Sequence, residues 1–271
     1  MEMKEKLHAE AVPYITFDNL DKIPFIQHGF STRAGGVSSG IYESMNLSFT
    51  RGDDEGLVRK NFELIGEALN IPAEAMVYAM QTHTVNVLKA DECHRGMGVS
   101  RERNYSDIDG LITNRPGVCL VTSYADCVPI FLVDTVNKAI GLSHSGWRGT
   151  IGNISAETIK KMNAEYGTDS GDIQAVIGPS ICRDCYEVSA DVAEKFIMQY
   201  GDAVARKLAG NKYLLDLQYA NRRNLLQTGV PDENIYTSRY CTCCNPKLFF
   251  SHRASKGQRG GMCGFLMIKQ R

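Results

Sequence analysis

The sequence predicts an α/β fold, because helical and extended patterns alternate along the whole chain and several extended stretches read as covered on both faces. Residues 118–122 and 128–133 are continuous apolar runs rich in branched side chains, the mark of strands buried above and below. Mixed sheet direction is expected. No internal repeat, low-complexity tract or long linker interrupts the chain, so one domain spanning residues 1–271 is expected.

Each element has its own signal. Residues 54–69 place Leu57, Val58, Phe62, Ile65 and Leu69 at helical intervals, and Pro72 follows as a stop. Residues 76–80 and 85–88 read as strands flanking a turn at His83. Cys127 falls in the break between the two apolar runs, just before Pro129. A third buried run, 138–143, ends at His144. A helix over about 154–166 follows Gly146, Gly149 and Gly152. A strand at 173–177, helices at 190–200 and 217–227, a strand at 234–237 and a last strand near 263–268 complete the alternation.

Composition narrows the class. Hydrophobic residues at 43% and charged residues at 23% are ordinary for a globular chain with a substantial core. A formal net charge of −1, with no dense basic stripe, argues against nucleic acid as a partner. Lys256, Arg259, Lys269 and Arg271 make the tail mildly basic and are expected on a solvated face. The N-terminal string MEMKEKLHAEAVPYI lacks the apolar stretch of a secretory signal, and no apolar run is long enough to span a bilayer. A cytoplasmic location with no membrane partner is expected. Nine cysteines, an odd number in a chain of this size, are expected to be thiols or metal ligands instead of disulfides.

Three strings concentrate the chemistry: QTHT around His83, ADCVP around Cys127 and HSGWRGT around His144. Two imidazoles and one thiolate suit a Zn²⁺ ion with its fourth position left for water or substrate. The intervals between them fit no zinc finger, so the ligands must meet by folding. Small and polar neighbours favour the assignment, since they allow close approach and orient an imidazole through its second nitrogen. His28 and His252 compete for the metal. Cys182 and Cys185 have CxxC spacing, and Cys241, Cys243 and Cys244 form a second group not read as a matching pair. A structural zinc or a redox pair is conceivable there, against the plainer expectation of neighbouring thiols.

Other strings suggest binding. Residues 31–36 combine hydroxyls, Arg33 and paired glycines, and Asn46 follows in MNLS. A glycine turn and an arginine fork can hold an anion, although a turn with a solvated arginine is the simpler reading by composition. Residues 249–253 offer aromatic surface with His252 and Arg253. Asp109, in the string DIDG, supplies a carboxylate or simply shapes a turn. There is no HExxH, no Walker loop, and no GxGxxG between a strand and a helix.

In order, HGFSTRAGG, MNLS, QTHT, DIDGLIT, ADCVPIFLVD, AIGLSHSGWRGT, IGPSI, CYEV and FFSHR resemble the YlmD/YfiH laccase-domain family. The resemblance runs from about His28 to the C-terminus. It implies an α/β/β/α layered sandwich with zinc on His83, Cys127 and His144. It also implies phosphorolysis of adenosine, inosine, guanosine and methylthioadenosine, and deamination of adenosine. Nucleoside and phosphate are then the small-molecule partners of a monomer or homodimer. Asp109 and Asp126 are candidate acids for the departing ammonia, with Cys127 essential through the metal. Arg33 and Arg148 are candidate phosphate anchors; Asn46, His252 and Arg253 are candidate substrate contacts. The family's TGR-like ending is replaced here by KGQRGG, in which Arg259 is the arginine available to take that place. Alternatives are a peptidoglycan-precursor editing hydrolase, a copper polyphenol oxidase, since a His₂Cys set also suits Cu²⁺, and a non-catalytic zinc module closed by a fourth protein ligand.

Overall fold

The structure, a computed structural model, describes residues 4–270. From the N-terminus the elements are β1 (Glu5–His8), β2 (Tyr14–Phe17), α1 (Asp18–Asp21), β3 (Ile26–Ser31), α2 (Glu55–Leu69), β4 (Met76–Tyr78) and β5 (Val87–Lys89). Then come β6 (Gly110–Thr113), β7 (Cys119–Tyr124), β8 (Val128–Asp134), β9 (Ala139–Ser145), α3 (Trp147–Ile151) and α4 (Ile154–Tyr166). The chain continues through β10 (Ile173–Ile177), β11 (Glu187–Ser189), α5 (Ala190–Tyr200), β12 (Ala205–Lys207), β13 (Lys212–Leu215), α6 (Leu217–Gln227), β14 (Ile235–Thr237) and β15 (Met262–Ile268).

Two six-stranded sheets form the centre, in the orders β1-β2-β3-β15-β7-β4 and β14-β10-β8-β9-β6-β5; a three-stranded sheet, β11-β13-β12, stands apart. Strand direction is mixed: β4–β7, β5–β6 and β10–β14 pair in parallel, and the remaining pairs are antiparallel. Phe17, Phe30, Leu120 and Leu266 of the first sheet meet Phe131, Val133, Ile140 and Leu142 of the second in one fully buried cluster, so the sheets lie face to face. The outer face of the first sheet is covered by α2, whose Val58, Phe62, Ile65 and Leu69 pack on Met76, Val121, Phe265 and Met267. Each such burial is worth about 1.5–3 kcal/mol. On the outer face of the second sheet, Ile159 and Met162 of α4 and Ala220 and Leu225 of α6 pack on Ile130, Leu132 and Ala175. The layers are therefore α/β/β/α, as the family resemblance implies, in the α/β class that the sequence pattern predicts.

Local chemistry sets the ends of α2. Asp54 accepts the Leu57 amide at 3.1 Å as N-cap, and Asn70 takes the left-handed conformation at the C-cap. The sequence reading left the N-terminal strands β1 to β3 and the small sheet β11-β13-β12 unassigned, because each is short and lacks a sustained apolar run. Among the described residues, no helix is long and apolar enough to cross a membrane.

Candidate metal centre

The chain crosses from one sheet to the other twice on the way to the site. Residues 79–86 carry it from β4 to β5, and residues 125–127 from β7 to β8. His83 lies in the first crossing, Cys127 in the second, and His144 near the end of β9. Antiparallel pairing of β8 with β9 sets Pro129 opposite His144, which carries Cys127 to the imidazole. Pairing of β6 with β9 sets Gly110 opposite Ser143 and so brings Asp109 beside His144.

The ligand atoms of His83, Cys127 and His144 lie within 4.8 Å of one another, and the two rings meet edge to face at 4.9 Å between centroids. No fourth His, Cys, Asp or Glu joins this group among the described residues. A closed structural zinc site is normally built from four protein donors.

Asp109 organises the ligands. One oxygen meets His144 Nδ1 at 2.7 Å and accepts the His83 amide at 3.1 Å. The other accepts the Thr82 and Thr84 amides at 3.0 and 2.9 Å and the Thr84 hydroxyl at 3.0 Å. These bonds direct His144 Nε2 toward the cluster and hold His83 at φ +66°, a conformation that a non-glycine residue keeps only under such restraint. Burial pushes the Asp109 pKa up, but His144 and the Thr84 and Thr82 amides outweigh it and hold it below the usual range. Burial likewise raises Cys127, yet the two imidazoles bring it down to about 6. Burial lowers His144, and Cys127 and Asp109 lift it to about 9. A thiolate at neutral pH is the form that binds a soft or borderline metal.

Gly146 completes the cradle. A Cβ there would stand 2.8 Å from His83 Cδ2 and 3.2 Å from Cys127 Sγ. The absent side chain is what lets β9 turn into α3 against the ligands.

The donors open onto a cavity of about 180 Å³ lined by Phe49, Arg51, Tyr78, Gln81, Arg103, Ser123, Tyr124 and Arg259, among others. Three arginines and no carboxylate line it. Arg103 donates from Nη1 to the carbonyls of Tyr78 and Ala79 and lies over the Tyr78 ring at 5.5 Å. Arg51 donates no side-chain hydrogen bond among the described residues, and Arg259 donates only from Nη1 to the Gly260 carbonyl, leaving its buried Nε without a partner. Burial, then Arg51, lowers the Arg259 pKa to about 10, so two cations face the same space.

The other candidate residues are placed differently from expectation. Arg33 donates to the Glu43 carbonyl from Nε and Nη2 and to the Pro246 carbonyl from Nη1, and it lies over the Phe250 ring. Its donors are spent on backbone, outside the cavity. In the glycine turn that could have held an anion, the Gly36 amide is taken by Ser44 Oγ, and the Val37 amide next to it by Asn61 Oδ1. Asn46 is fully buried and spends its amide on Ser48, Asp53 and Gly261. It fastens the loops that carry Arg51 and Arg259. Arg148 is exposed and lies over Trp147 at 4.3 Å. Asp126 accepts the Thr242 hydroxyl and the Arg253 amide, both at 2.7 Å, so it ties Cys127 to a distant loop. Arg253 itself lies over Tyr186. His252 sits at the surface, its pKa lowered by partial burial and by Arg259 and Arg51. His28 is buried in β3 and accepts the Phe17 amide at Nε2, away from the metal cluster.

Two arginines of the wall have no sequence signal: nothing near Arg51 or Arg103 marks either as more than surface charge. Arg259, expected on a solvated tail and also as the arginine taking the place of the TGR-like ending, stands in the cavity wall. Arg271, part of that tail, lies outside the described residues.

Residues 27–269 match the family described as multi-copper polyphenol oxidoreductase laccase. The purine nucleoside phosphorylase YlmD of Bacillus subtilis is 38% identical over 246 residues, covering 89% of this chain and 88% of that protein. The crystal structure of YfiH from Bacillus licheniformis superposes with a TM-score of 0.92 at 32% identity, covering 97% of this chain and 99% of that one. This chain belongs to the YlmD/YfiH family. The adenosine deaminase RL5 of an unknown prokaryotic organism is 36% identical over 244 residues, covering 86% of this chain and 93% of that protein.

Proposed function

We propose that the chain is a zinc-dependent purine nucleoside enzyme, cleaving purine nucleosides with phosphate and deaminating adenosine. One observation carries the reading: a three-donor cluster opens onto a cavity whose wall holds two arginines with unspent donors, Arg51 and Arg259, and no carboxylate. The names of the relatives, purine nucleoside phosphorylase and adenosine deaminase, support the substrate class. Two imidazoles and a thiolate fit zinc, with the cradle at Gly146 and the Asp109–His144 bond already shaped for it. Bound there, zinc supplies Lewis acidity and lowers the pKa of a coordinated water to about 7.

The chain's own residues divide the remaining work. Asp109 and Asp126 are positioning residues: their oxygens are committed to His144, backbone amides and hydroxyls, and neither lines the cavity. Arg51 and Arg259 hold the phosphate. An anion between them relieves their mutual repulsion and satisfies the orphaned Arg259 Nε. Tyr78, Phe49 and Tyr124 supply the aromatic wall for a purine.

Metal analysis of the purified protein, followed by product identification with adenosine in the presence and absence of phosphate, tests the reading. Cys127→Ala is expected to lose the zinc of this site and both reactions. Arg259→Gln removes a charge-assisted contact worth roughly 1.5–3 kcal/mol, so its KM for phosphate should rise about 10- to 100-fold while adenosine deamination stays within about twofold. A Cys127→Ala protein that keeps the zinc of this site and turnover sinks the proposal. So does a wild-type protein inert on nucleosides but active on an aminoacyl cell-wall precursor, or one holding stoichiometric copper and consuming oxygen with phenols.

A further inference from the structure

Four cysteines outside this cavity converge from two loops. Cys182 and Cys185 flank a single helical turn after β10, and Cys241 and Cys244 lie in the loop after β14. The second pair also has CxxC spacing, which the intervening Cys243 hides from a reading that groups all three thiols together. A parallel bridge between Ser180 and Cys241 joins the loops, reinforced by the Thr242 amide donating to the Ser180 carbonyl at 3.1 Å.

The four Sγ atoms all lie within 4.8 Å of one another. Cys185 Sγ stands 3.3 Å from Cys244 Sγ, and Cys182 Sγ stands 3.9 Å from it. A zinc–sulfur bond of about 2.3 Å sets the edge of a tetrahedral tetrathiolate site at about 3.8 Å. The observed separations bracket that edge. The Cys182 and Cys244 amides donate to Cys241 Sγ at 3.2 and 3.4 Å, as backbone does around a metal-bound thiolate that must disperse its charge.

We propose that Cys182, Cys185, Cys241 and Cys244 bind a second, structural zinc ion, distinct from the centre at His83, Cys127 and His144. Four protein ligands close such a site, so it does no chemistry of its own. Its work is mechanical. Thr242, between the ligands Cys241 and Cys244, donates to Asp126, and Arg253, whose amide also donates to Asp126, reaches the Cys185 carbonyl at 3.5 Å. Pinning the two loops together thus fixes the residue next to Cys127. The long sequence interval between the pairs excludes a zinc ribbon, so the metal fastens loops that the sheet has already brought close. The inference does not depend on the nucleoside reading.

Zinc content and thiol accessibility of the full-length protein test it. Wild-type protein is expected to hold two zinc ions per chain, one for each donor group. His83→Ala should retain one, and in that variant alkylation should spare Cys182, Cys185, Cys241 and Cys244 until a strong chelator is added. Cobalt substitution of the same variant should give the intense sulfur-to-metal charge-transfer absorption of a tetrathiolate. Cys243→Ser should keep the second ion and Cys244→Ser should lose it; if Cys244→Ser fails to fold, the His83→Ala measurements decide alone. One zinc in the wild type and none in His83→Ala overturns the proposal. Free alkylation of the four thiols without chelator, or a disulfide between any two of them in the freshly purified protein, overturns it equally.

Discussion

At the scale of the residue, the proposed metal centre depends on a side chain that is missing. The hydrogen of Gly146 leaves room for His83 and Cys127, and even a methyl group would meet both at less than ordinary contact distance. Gly146→Ala is therefore expected to lower zinc affinity by at least about tenfold, as loss of ligand positioning does. Its circular dichroism should match that of the wild type, because the strand and helix on either side keep their packing. Chelator competition measures the affinity, and an unchanged constant refutes the argument. Asp109 shows the same dependence from the other side: it shapes the site through five donors without facing the cavity.

At the scale of the element, helices brace the strand end that bears His144. Asn221 of α6 is fully buried; its Oδ1 accepts from Ser145 Oγ at 2.7 Å, and its Nδ2 donates to Thr150 Oγ1 at 3.1 Å and to the Leu217 carbonyl at 2.9 Å. One amide thus joins β9, α3 and α6 directly behind Gly146. Asn221→Leu removes three buried hydrogen bonds and leaves the Ser145 and Thr150 hydroxyls with only each other and the Gly146 carbonyl as partners. The expected loss is about 2–3 kcal/mol of unfolding free energy, read from urea denaturation. A loss below about 0.5 kcal/mol, the range of ordinary surface substitutions, would mean that α6 does not brace the strand through this contact.

At the scale of the whole molecule, the inter-sheet core contains an ionisable group. His28 is 4% exposed, and its ring accepts the Phe17 amide, which only the neutral form can do. Burial, then His8, lowers its pKa from 6.5 to about 3. The unfolded chain therefore binds a proton that the folded chain refuses between those values. The stability this group confers is complete above pH 6.5 and is lost progressively as pH falls toward 3. Between about pH 7.5 and about pH 5 the loss attributable to it is about 2 kcal/mol. His28→Gln keeps an acceptor without a titrating ring, so its denaturation midpoint should shift less over the same interval. Equal shifts in both proteins would clear His28 of the acid sensitivity.

Sequence by itself determined the α/β class, the helices α2 and α4 to α6, the buried central strands, and three short strings whose donors the fold brings together. These features are legible because their signals are local: an apolar period, a glycine beside a histidine, a cysteine between two strands. Only the tertiary structure decided which polar groups are already spent. Arg33 was a plausible anion ligand until its fork met the carbonyls of Glu43 and Pro246, the latter more than two hundred positions away. Arg259 reads from the sequence both as part of a solvated tail and as the stand-in for the TGR-like ending; burial that leaves its Nε unpaired beside Arg51 decides for the site. The cysteines divide the same way: spacing offers the pairs, and the bridge from Ser180 to Cys241 decides that they share one space. Hydrogen-bond capacity is finite and is consumed by whichever partner the fold brings near. Which donors remain free for a ligand is thus a property of the assembled molecule.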